Sequence, residues 1–237
     1  MVRAVVQDPG GGRPQTRVWI AGALAGHAEA EPFVAEVCAL LHRFATEIVA
    51  AHKLCPFLHN VDNGLGAVCV VLDAEPRIEE ALAALRATEA SVVHVVYPLL
   101  ARGRAEGAAT TPSASSASRF ERFGNALAEA IRRSHTETLV HAAFHPELVG
   151  GTENPHRMVG LLRRAPDPFI QFIPPGMHEG GTVMAGAELP TKSPLEATYA
   201  RVVTGGKLHE LEASLAELHR LREARDARFD ALVSEAQ

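Results

Sequence analysis

Four short apolar runs, each with β-branched or aromatic residues, punctuate this chain of 237 residues: residues 67–72 (AVCVVL), 92–97 (VVHVVY), 138–144 (TLVHAAF) and 169–173 (FIQFI). Each is too short for a helix of ordinary length and is bounded by turn-forming residues, so each is expected to be a strand. Between successive runs lie segments whose apolar residues recur at three- and four-residue intervals. Strands alternating with helices predict an α/β fold: a layered sheet of about four or more strands with helices packed on it, plus a long C-terminal helix.

The helical segments are defined by their stripes. Phe33, Val37, Leu40, Leu41, Phe44 and Ile48 lie on one face of a helix expected over residues 32–52, opened by Pro32. Pro56 ends any continuation, because it lacks an amide hydrogen and disfavours helical geometry at Cys55 before it. Ile78, Leu82 and Leu85 mark a second helix, Phe120, Phe123, Leu127 and Ile131 a third, and residues 158–163 a short fourth. Residues 1–30 read as an N-terminal appendage, with 2–7 and 16–22 pairing as a short hairpin across the turn at 8–14. The core domain is expected over 31–206. Within it, residues 102–118 (RGRAEGAATTPSASSAS) carry no large apolar side chain and are expected to form a mobile surface loop. Residues 207–237 form the C-terminal helix. Leu208, Leu211, Leu215 and Leu218 keep heptad spacing, Arg222 and Arg225 interrupt it, and Phe229 and Leu232 resume it. Four good steps are too few for a long coiled coil, so the helix is expected to lay its leucine face on the domain, with a homodimer through this helix as the alternative.

Charge and composition narrow the function. With 23 basic and 28 acidic residues the net charge is −5, which supplies no field to gather nucleic acid or an anionic membrane surface. No apolar run approaches the roughly 20 residues that span a bilayer. The first residues break at Asp8-Pro9-Gly10 without the apolar core of a signal peptide, and three cysteines are an odd number, so reduced thiols in the cytoplasm are expected.

Chemistry concentrates in a few loops. In His52-Lys53-Leu54-Cys55-Pro56-Phe57-Leu58-His59, a lysine and two imidazoles flank the thiol and favour its thiolate, which can attack an electrophile or ligate a metal. The negative end of a helix dipole acts in the opposite sense. Cys38 and Cys69 fall inside apolar patterns and read as packing. His145, in Phe144-His145-Pro146, ends the third strand, where α/β proteins place ligands, and can act as base, ligand or anion donor. Gly150-Gly151-Thr152-Glu153-Asn154-Pro155-His156-Arg157, followed by Arg163-Arg164, offers open backbone, an amide and cations for a carboxylate or phosphate. Asn154, Arg157 and Arg163 are the expected substrate-binding residues. His178-Glu179-Gly180-Gly181-Thr182 is a further polar loop, without the paired histidines of a zinc protease.

Leu54-Cys55-Pro56-Phe57, then Phe144-His145-Pro146, then an Asn-Pro-Arg stretch leading to Leu161-Leu162-Arg163, resembles the uncharacterised bacterial family catalogued as domain of unknown function 1415, over roughly residues 33 to 175. The family pattern has Asn-Arg-Ser-Pro before the short helix and a histidine ahead of Leu-Leu-Arg; this chain has Glu153-Asn154-Pro155-His156-Arg157 and Gly160 there. Cys55, His145 and Arg163 match. The resemblance supports a site at Cys55 and carries no reaction with it.

The leading expectation is a small-molecule enzyme centred on the Cys55 thiolate. In its first form Cys55 ligates iron or haem in an oxidoreductase, with His145 as second ligand. In its second, Cys55 is a metal-free nucleophile or redox thiol and His145 its acid or base. In both, the substrate is an anionic small molecule. A non-catalytic binding or assembly protein is the alternative from another class.

Overall fold

The computed structural model describes residues 3–6, 16–52, 65–86, 92–100, 116–134, 140–173 and 194–236. Their strands form one mixed sheet: β1 (Arg3–Val6), β2 (Arg17–Ala21), β3 (Ala67–Val71), β4 (Val93–Val96), β5 (Val140–Phe144) and β6 (Phe169–Ile173), in the order β1-β2-β3-β4-β6-β5. The fold is a layered α/β fold, as the alternating pattern requires. All four runs identified as strands are strands; residues 138 and 139 lie outside the described set.

Pairing directions decide where a site can form. β2, β3 and β4 are mutually parallel, β6 is antiparallel to β4, and β5 is antiparallel to β6. β5 therefore runs the same way as β2, β3 and β4. The chain exits all four strands at one edge of the sheet, and enters β6 at that same edge. Gly22, Asp73, Tyr97 and His145 follow those exits, and Asp167 precedes the β6 entry.

Helices cover both faces. α1 (Ala30–Arg43), which continues as a wider π-helical turn over Phe44–Ala50, packs with α4 (Pro155–Leu162) and α6 (Leu208–Arg228) on one face, where Val18, Ile20, Val68, Val70, Val96 and Phe169 point. α2 (Ile78–Arg86) and α3 (Ser116–Ser134) cover the other, over Trp19, Cys69, Val71, Val95, Ile170 and Phe172. A strand covered on both faces needs no polar alternation, which is why β3 reads as an unbroken apolar run and all five of its residues are buried.

Several sequence expectations are corrected. Residues 16–22 do not belong to an appendage. β2 pairs antiparallel with β1, and its other side pairs in parallel with β3, so it is a strand of the main sheet. Its RVWIA sequence has four consecutive buried residues, the signature of an interior position. The polar segment 102–118 ends earlier than expected: residues 116–118 are the first turn of α3, where Ser116 and Ala117 are buried. Residues 102–115 lie outside the described set, so the expected mobility of that loop does too. α5 (Pro194–Tyr199), with a π turn over Ala200–Thr204, was not anticipated.

The C-terminal helix is two helices, α6 and α7 (Asp230–Glu235), broken at Phe229, whose φ of −107° and ψ of 36° leave helical geometry. Its leucine face lies on the domain: Leu211, Leu215 and Leu218 are buried in the core. Arg222 and Arg225 do not interrupt that face but extend it inward. Arg225 is 0% exposed and pairs through both terminal nitrogens with Asp167, at 2.6 and 2.8 Å. Arg222 Nε lies 3.1 Å from the same carboxylate. Among the described residues, no helix is long and apolar enough to cross a membrane.

Candidate functional site

His145 stands where β5 ends. Its ring is 3% exposed, 5.6 Å from the Phe120 ring on α3, and its backbone amide donates to the Arg163 carbonyl at 3.0 Å. Burial, and secondarily the charge of Arg222, push its pKa down to about 4 against the opposing field of Glu147, so the ring is neutral at neutral pH. One hydrogen bond fixes its tautomer. The Glu147 backbone amide donates to His145 Nδ1 at 3.1 Å. An amide can only donate, so Nδ1 carries the lone pair and the single proton of the neutral ring resides on Nε2. His145 is thus presented as a neutral N–H donor. Its lone pair is already occupied, which removes the nitrogen that a metal or a general base would need. Glu147 is held in turn by the Ser116 hydroxyl, which donates to its carboxylate.

Cys55, the expected centre, lies outside the described residues, as do Lys53, His59 and the 178–182 loop. His52 is described and buried, with burial lowering its pKa. A neutral imidazole gives no charge assistance to a thiolate, so that part of the expected activation is withdrawn. Cys38 and Cys69 are the packing residues they were expected to be. Burial pushes each thiol up to about 12.

The expected substrate-binding residues separate. Asn154 caps α4: its side-chain oxygen accepts from the Arg157 amide at 3.0 Å, with Pro155 at the first helical position. Asn154→Ala is therefore expected to lower stability by about 1 kcal/mol and leave ligand affinity unchanged, measured by urea unfolding alongside ligand titration. The Arg157 side chain is exposed and 3.9 Å from Glu153. Arg164 spends its donors on the Leu148 and Gly150 carbonyls. The glycines do not open backbone to a ligand as expected. A Cβ on Gly150 would run into the Leu161 amide, and one on Gly160 into the Val149 carbonyl, so these two residues let α4 press against the 149–151 backbone.

Arg163 remains. Its guanidinium lies over the Phe144 ring, 5.9 Å from the centroid, and burial lowers its pKa against the weak attraction of Glu121. Burial, and after it the charge of Arg163, lowers the pKa of His141 on β5. Arg163 is half-buried and is joined to His145 through the backbone.

Sequence reasoning missed the other polar groups at this edge, Asp73 and Tyr97 at strand exits and Asp167 at the β6 entry. Their signal was present: each stands within two residues of the end of a β-branched or aromatic run, at the edge where parallel strands gather their loops. Among the described residues, no three His, Cys, Asp or Glu side chains converge to hold a metal ion. Comparison of the chain with protein-family models, with curated proteins and with solved structures finds no match.

Proposed function

We propose that the protein is a small-molecule enzyme acting on an anionic substrate at the β5 exit. Arg163 holds the anionic end, His145 Nε2–H donates to an oxygen that gains charge during reaction, and Cys55 supplies a metal-free nucleophile or redox thiol. The observation that carries this reading is the Glu147 amide donating to His145 Nδ1, which makes a buried neutral imidazole a fixed donor. Neutral N–H donors aimed at a developing oxyanion contribute more in a dry site than in water. A half-buried guanidinium beside an aromatic ring offers charge-assisted bonds to a carboxylate or phosphate. Iron or haem on Cys55 would have to be ligated without His145, so the metal-free form is preferred. The same three residues carry the resemblance to domain of unknown function 1415.

Two measurements on the purified protein test this together. The visible absorption spectrum is expected to be bare, and iodoacetamide at neutral pH is expected to alkylate Cys55 alone. With pKa values about 12, Cys38 and Cys69 present on the order of one thiolate in 10⁵ molecules, so they contribute no background. Cys55→Ser should abolish labelling. A Soret or charge-transfer band, or a Cys55 no more reactive than an unperturbed thiol, would overturn the reading.

A further inference from the structure

Where the chain leaves β3, two carboxyl groups meet. Asp73 is 4% exposed, and its Oδ1 accepts the Ala23 amide at 2.8 Å and lies 3.6 Å from Arg77 Nη2. Glu80, in the first turn of α2, has Oε1 3.5 Å from Arg77 Nη1. One guanidinium therefore brackets an oxygen of each carboxyl. The remaining oxygens, Asp73 Oδ2 and Glu80 Oε2, are both buried, and neither has a hydrogen-bond donor among the described residues. Two ionised carboxylates cannot settle this arrangement, since each offers only acceptors. A single proton can: it turns one carboxyl into the donor the other lacks.

We propose that Asp73 and Glu80 share one proton and form a pH-sensitive latch fastening the first turn of α2 to the exits of β2 and β3. Their surroundings favour it. Gly22, which ends β2 with φ +102°, has no room for a side chain, because a Cβ would strike Asp73 Oδ2 and the Leu72 backbone. The close approach keeps that oxygen dry. From β4, the buried Tyr97 hydroxyl also lacks a partner among the described residues, and burial raises its pKa well above the ordinary value, with the charges of Cys69, Glu80 and Asp73 adding to the effect. Cys69 is equally neutral. Arg77 and the amino-terminal charge are the cations that act on Glu80, and the Arg77 side chain is more than half exposed, which leaves it in water and weakens its hold on both acids.

The hydrogen bond to Asp73, followed by burial and Asp73's charge, raises the Glu80 pKa against the attraction of Arg77 and of the amino terminus. A pKa raised in the fold gives stability that is complete below the unfolded value and is lost as pH rises through the folded value. The latch is closed in mild acid and loosens toward alkaline pH.

Glu80→Gln provides a permanent amide donor to Asp73. Thermal unfolding of the full chain and of this variant, compared from about pH 5 to about pH 8, is expected to show the variant gaining on wild type by about 2–4 °C as pH rises. Other titrating groups are common to both proteins and cancel in the difference. Parallel curves would overturn the proposal. If the variant fails to fold, carboxyl NMR titration of wild type decides: Glu80 inflecting above the ordinary glutamate range supports the latch, and an ordinary inflection sinks it.

Discussion

Asp167→Ala is expected to cost about 3–5 kcal/mol of folding stability, the usual consequence of removing one partner from a buried ion pair. Asp167 sits just before β6, 4% exposed, and takes both terminal nitrogens of Arg225 as well as Arg222 Nε. Asp226 contributes a second carboxylate, 2.7 Å from Arg225, and the Phe33 ring lies 4.7 Å from the Arg225 guanidinium carbon. Without Asp167, two desolvated guanidiniums share one carboxylate. Neither can reach water without moving α6, which closes one face of the sheet. Urea unfolding is the measurement; a loss below 1 kcal/mol would show that water or local rearrangement replaces the carboxylate. Replacing Arg222, Arg225, Asp167 and Asp226 together by apolar residues of similar volume is expected to be far milder than the single change, because neither the guanidiniums nor the second carboxylate is then left without its countercharge.

The second large effect is expected in acid. Burial holds both His94 and His145 at a pKa of about 4, while in the unfolded chain each titrates near 6.5. A depressed pKa gives stability that is complete above the unfolded value and disappears as pH falls toward the folded one. Between pH 6.5 and 4, each histidine thus withdraws on the order of 3 kcal/mol. The two together equal much of the total stability of an ordinary domain. Unfolding free energy measured against pH should fall steeply over this window, and His94→Gln should flatten the slope even if it lowers the plateau. His94 is the cleaner probe: burial dominates its shift, the backbone at Ala67 and Leu65 only partly opposes it, and its Nε2 lies 3.1 Å from the Gln171 amide. An unchanged slope in the variant would mean that the ring is hydrated in the fold.

What could be read from the sequence follows from which residues report their own environment. The β3 run is apolar at every position because helices cover both its faces, and the stripes of α1, α3 and α6 repeat because each buries a single face. Such signals are local. β2 escaped because Arg17 and Trp19 make its five residues look like half of an isolated hairpin, and nothing within the segment reveals the parallel partner nearly fifty residues on. Arg222 and Arg225 read as breaks in a leucine stripe because their countercharge, Asp167, is more than fifty residues away in the chain. The site divides in the same way. His145 was placed correctly at a strand exit, since a strand and its end are local. Its tautomer was not legible, because that depends on the turn bringing the Glu147 amide onto Nδ1. Asn154 and Gly150 have the residue types of a ligand loop although their geometry serves α4; asparagine before proline is equally the signal of a helix N-cap.

The strand order has a consequence for biosynthesis. β5 precedes β6 in the chain, yet β6 lies between it and β4, so β5 has no place in the sheet until β6 has been made. A nascent chain emerging amino terminus first can assemble β2, β3 and β4, but must hold residues 140–144 aside while α4 and the following turn are synthesised. Asp167, at the entry of β6, then waits longer still for Arg222 and Arg225, which arrive more than fifty residues later. The far side of the sheet is therefore assembled late, and its buried charges meet their partners only as the last helix docks.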